Sequence, residues 1–128
     1  MRVRLFELAD SANTTADGRL NILGVFDRIV AKKLGEFPLF SLALILHVDS
    51  TEKGTHIVEI EIENPESQVV LMMGAEAEFE LPDGQSYNAK FAIPVRGLPL
   101  THYGTYKVRL IVKDYIDESI ELHVLDKA

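Results

Sequence analysis

Hydrophobic and polar residues alternate along most of this chain with a period of two. Tyr106, Val108, Leu110 and Val112 alternate with Lys107, Arg109, Ile111 and Lys113, the pattern of a strand with one face in a core. Val58, Ile60 and Ile62 alternate with Glu59, Glu61 and Glu63 in the same way, and so do Ile120, Leu122 and Val124 with Glu121 and His123. Tyr87, Ala89, Phe91 and Ile93 form a fourth such run. No stretch places apolar residues at helical spacing over several turns, so no long helix is expected. Asp17-Gly18, Lys53-Gly54, Asn64-Pro65, Pro82-Asp83-Gly84 and Arg96-Gly97 separate the runs, and each carries the Gly or Pro that fixes a reversal. The pattern predicts eight strands near 2–9, 19–30, 39–48, 55–63, 68–80, 86–94, 104–113 and 119–125. Strands at this spacing read as an all-β, immunoglobulin-like antiparallel β-sandwich in one domain over residues 1–128. Residues 39–48 are apolar on both faces, which predicts a central covered strand or a subunit contact. Gly24 predicts a bulge or a close backbone approach.

Composition narrows the choice of function. Thirteen Lys and Arg against twenty Asp and Glu give a net charge of −7, so a nucleic-acid or anionic-membrane partner is not expected. Zero Cys removes disulfides, thiol nucleophiles and thiolate metal sites together. The first residues, Met1 to Glu7, carry three charges and no apolar run follows, so the expectation is a cytoplasmic protein.

Ala9-Asp10-Ser11-Ala12-Asn13 followed by Asp17-Gly18-Arg19-Leu20-Asn21-Ile22-Leu23-Gly24-Val25-Phe26-Asp27 resembles the N-terminal signature of a family of small, mostly bacterial proteins known only as a domain of unknown function. Gly104-Thr105-Tyr106-Lys107-Val108 is similar to a Gly-x-Tyr-x-Val strand common in such domains and in immunoglobulin-like sandwiches. The resemblance implies a β-sandwich. It implies no activity, cofactor or assigned site.

Candidate chemistry is sparse. There is no Gly-x-Ser-x-Gly, no phosphate-binding glycine loop and no Trp to line a sugar cleft, so no enzyme is expected. The four His fall on different faces and ends, which argues against a His-rich zinc site. If every strand crosses the sandwich, the loops near 10–18, 49–54, 81–85 and 114–118 share one end. That end collects Asp10, Asp17, Asp49, Asp83, Asp114 and Asp117 against Lys53. These carboxylates are the candidate Ca²⁺ ligands, since Ca²⁺ takes six to eight oxygens. They are equally the residues that turns favour for local reasons. The opposite end carries Pro94 to Leu100, a Pro-flanked apolar stretch expected as a loop. There Arg96, Leu98 and Leu100, with Phe37, are the candidate partner-binding residues, unless the two leucines fold back to cap the core.

The reading is a binding or scaffold module without catalysis, meeting a protein partner or a second copy through an end loop or a sheet edge. Its alternative is a Ca²⁺-dependent module organised by the acidic loops.

Overall fold

The most apolar stretch of the chain becomes its central strand. β4 (Gly35–Asp49) lies between β1 (Arg2–Thr14) and β7 (Ser86–Leu100), and β2 (Leu20–Phe26) pairs with the far side of β1. Phe40, Leu42, Leu44, Leu46 and Val48 of β4 all point inward and are fully buried. The second sheet runs β3 (Arg28–Ala31), β9 (Ile116–Asp126), β8 (Gly104–Val112), β5 (Gly54–Glu63), β6 (Val69–Phe79). It is curled like half a barrel, and it places Val58, Ile60, Ile62, Val108, Leu110, Leu122 and Val124 against the first sheet. The computed structural model describes residues 1–127, and the only helical element among them is a 3₁₀ turn at Ser50–Glu52. No helix is long and apolar enough to cross a membrane, among the described residues.

The all-β expectation holds, with nine strands where eight are predicted. The strand expected over 19–30 is two, because the chain changes sheets at Asp27. There the Asp27 carbonyl accepts the His123 N–H at 2.8 Å, and β3 continues parallel to β9. The signal is a phase slip: Phe26 is an even inward position and Ile29 an odd one. Residues 95–100, expected as a loop, extend β7 to pair with the first half of β4, from Leu100 opposite Gly35 to Val95 opposite Phe40. Gly97 takes a φ of 66° there, and the slip beside it brings Val95, Leu98 and Leu100 all into the core. Pro94 and Pro99 are tolerated because β7 is an edge strand, whose outer side forms no ladder.

β1 and β2 continue past the sheet as a two-stranded arm. The arm turns back over the outer face, so that its tip, Thr14 to Gly18, shares a shallow hollow with Tyr87 to Lys90. Ser41 and Ala43 face away from the core yet are buried, as is Ala9 beside them. Small side chains at these positions give the arm room to pack. The central strand is thus covered on both faces, one of the two outcomes its sequence predicts. At Gly24 (φ 71°) the Asp10 side chain occupies the place a Cβ would need, so what lies close to this glycine is a side chain rather than the backbone expected there.

Two polar clusters pin the corners. The Tyr106 hydroxyl accepts the N–H groups of Thr101 (2.9 Å) and His102 (3.0 Å) and donates to the His102 carbonyl (2.7 Å). Buried Asn64 accepts the N–H groups of Glu66 and Gln68 and donates to Gln68 Oε1 and Thr101 Oγ1. It ties the β5–β6 turn to the corner that Tyr106 holds.

Candidate functional site

The two sheets are joined by the chain itself on one side, at Asp27, and are left open on the other. On the open side the last strands are β6 and β7, and each has a free edge. The residues of β6 that point between the sheets are Leu71, Met73, Ala75, Ala77 and Phe79. Those of β7 are Tyr87, Ala89, Phe91 and Ile93. A sandwich normally closes its margin with large side chains, because interiors pack without voids. Here Ala75 and Ala77 stop short. A cleft of about 200 Å³ remains, floored by Val58 and Ile60 and walled by Met73, Phe91 and Ile93. It continues as a groove toward Phe79 and Tyr87.

The cleft is almost wholly hydrocarbon. Glu76, at the rim, is its one ionisable lining residue, so it offers dispersion contacts and a dry surface rather than acid–base chemistry. On the other face of the same strand, Ile57, Glu59, Met72, Gly74 and Glu76 line a shallow hollow. Gly74 stands opposite Glu59 in the register and adds no side chain. Met72 is 64% exposed and Ile57 51%, so both sides of the β6 edge present apolar surface to solvent.

The sequence-derived residues lie elsewhere. Asp49, the last residue of β4, and Asp83 lie where two turns meet, since Ser50 Oγ accepts the Gly84 N–H at 3.0 Å. Lys53 stands 3.3 Å from Asp83, and His47 stands 3.8 Å from Asp49. Asp17, at the arm tip, pairs with Arg19 at 3.2 Å. Asp10 packs on Gly24. Asp114 forms the β8–β9 turn with a φ of 70°. Asp117 accepts both its hydrogen bonds from Arg109, at 3.0 and 3.1 Å, on the outer face of the second sheet. No group of three or more His, Asp or Glu is placed to hold a metal ion, among the described residues.

Of the candidate partner-binding residues, Leu98 and Leu100 are buried in the core, the capping arrangement, and present no surface. Phe37 packs on Phe26 and Phe40, with ring centroids 6.3 and 5.8 Å away. Arg96 alone is exposed. The cleft residues were missed because Ala75 and Ala77 look unremarkable in a strand. The available signal is the run Met73-Gly74-Ala75-Glu76-Ala77, where inward bulk falls away while Phe91 and Ile93 stay large.

Away from the cleft, the carboxyl of Glu52 is tuned by its surroundings. Burial pushes the Glu52 carboxyl up. The opposing effect of the Met1 ammonium, the Asp49 N–H (2.9 Å) and His56 prevails and holds it below the usual carboxylate value.

Residues 4–125 match the model of a protein family described as "Family of unknown function (DUF6941)". No curated protein matches the chain.

Proposed function

The chain belongs to this family of unknown function, and we propose that it works in it as a non-catalytic binding module that receives an apolar group of a partner protein in the β6/β7 cleft. The observation that carries the reading is the cleft itself: an apolar slot at the margin of the core, between two free sheet edges. Water in such a slot forms few hydrogen bonds, so its displacement by a hydrocarbon group is favourable. Slots of this kind are where small apolar groups bind, and free edges are where strands are added.

The sandwich is read as immunoglobulin-like. Supporting this, Tyr106 sits near the start of its strand and bonds the backbone four and five residues upstream, the arrangement known in that fold as a tyrosine corner. Domains of this architecture commonly serve recognition, although the fold alone assigns no function.

Toluene is a direct probe, because a dry cavity of comparable size lined by Leu, Ile and Phe takes up benzene. Titration into isotope-labelled protein is expected to shift the methyl resonances of Met73, Ala75, Ile60 and Ile93, and to leave Leu98 and Leu100 in place. Shifts scattered over the exposed apolar residues, with none at the cleft, would overturn the reading.

A further inference from the structure

We infer that the group received in the cleft belongs to an extended basic segment of another protein, added as a strand along the free edge of β6. The inference rests on the reading above and names the occupant. Three features of the strand converge on it.

The first is size. Ligand pockets for drug-sized molecules measure roughly 300–1,000 Å³, whereas the cleft holds about 200 Å³. That suits one Leu or Phe side chain better than a free metabolite. The second is the backbone. β6 has eleven residues and its outer side has no ladder partner. β7 is the poorer acceptor of a strand, because Pro94 and Pro99 leave gaps in its N–H groups.

The third is charge. In an added strand, side chains alternate between faces. A residue that enters the cleft therefore sends its two neighbours to the outer face, over Gly74 and Glu76. The carboxylates there are Glu59, Glu76 and Glu78. Glu61, on the same face, is engaged by Arg109 at 3.1 Å, while those three are in no ion pair among the described residues. Lys or Arg at the flanking positions would meet them. A second copy of this chain fits badly, because β6 against β6 lines up Glu76 and Glu78 of both copies along one seam.

The test is fluorescence anisotropy with a labelled peptide, Lys-Thr-Lys-Leu-Lys-Thr-Lys, titrated with the full chain. A second peptide replaces every Lys with Glu. The expected result is saturable binding of the Lys peptide, weakened by salt, and binding of the Glu peptide at least about tenfold weaker. Ala75→Leu, which fills the cleft, is expected to weaken the Lys peptide by about tenfold, within the range a filled or emptied apolar pocket commands. The double variant Glu59→Gln/Glu78→Gln changes no residue that lines the cleft and should reduce both the affinity and its salt dependence.

Equal binding of the two peptides, or no effect of either variant, would overturn the inference. So would self-association of the unliganded protein in sedimentation that Ala75→Leu abolishes, because the occupant would then be a second copy. If toluene still enters the cleft while the peptide does not bind, the basic-strand inference falls and the cleft reading stands. If toluene is also excluded, both fall.

Discussion

Two Ala→Leu substitutions on this molecule should have opposite signs. At Ala75 the added carbons enter the open slot between Val58, Phe91 and Ile93. Three carbons at about 0.8 kcal/mol each set an upper bound of about 2.4 kcal/mol. Loss of Leu rotamer freedom removes about 0.5–1 kcal/mol, and the mouth of the slot stays partly wet. A net gain of about 1 kcal/mol remains, equivalent to a rise in Tm on the order of 2–8 °C. At Ala43, which is fully buried beneath the β1–β2 arm, no such space exists. Overpacking there should lower stability by about 1–3 kcal/mol. Differential scanning calorimetry of both variants beside the parent protein checks the pair. A fall in Tm for Ala75→Leu comparable to that for Ala43→Leu would refute the reasoning, since it would mean that the β6/β7 margin is as tightly packed as the arm interface.

Other consequences follow from the polar clusters and the arm. Tyr106→Phe leaves the N–H groups of Thr101 and His102 without their acceptor and should cost about 1–3 kcal/mol in urea unfolding. Asn64→Ala removes all four side-chain bonds of a buried amide; a loss of about 2–3 kcal/mol is expected, with faster amide exchange at Glu66 and Gln68. Gly24→Ala must displace the Asp10 side chain and hold a φ of 71°, so a cost of at least about 1 kcal/mol is expected, with increased proteolysis at the arm. Because the Glu52 carboxyl is held below its unfolded value, its contribution is fully present above the unfolded pKa and is lost as pH falls through the folded one. Melting scans from neutral to acid pH should therefore show a drop below about pH 4.5 that is smaller in Glu52→Gln.

The core of this protein was legible in its alternation. Each residue of the β8 run from Tyr106 to Val112 that period two assigns inward is buried, and the doubly apolar character of β4 is explained by coverage on both faces. Legibility failed where topology, rather than local pattern, decides. The sorting of loops to two ends assumed that every strand crosses the sandwich. That sorting holds for the loops at 49–54 and 81–85, which meet, and for Asp114, beside Thr55 to Ile57. What local pattern does not show is that the chain changes sheets at Asp27 and that the arm tip reaches Tyr87 to Lys90 by folding over the sheet. Pro94 to Leu100 looked like a loop because two prolines and a glycine punctuate it, yet an edge strand accepts all three. The cleft was hidden for a related reason. A short inward side chain such as Ala75 marks a vacancy only once its strand is known to lie at an open margin, and strand order is not a property of local sequence.

The central claim is that the margin between β6 and β7 is open to an apolar group. The most direct measurement is a crystal structure of the protein under xenon pressure, since xenon enters dry apolar cavities and little else. The account predicts a xenon atom in contact with Val58, Ile60, Phe91 and Ile93, and none in crystals of Ala75→Leu. A margin closed by Met73 or Phe91, with xenon absent from the cleft or held only elsewhere, would contradict it.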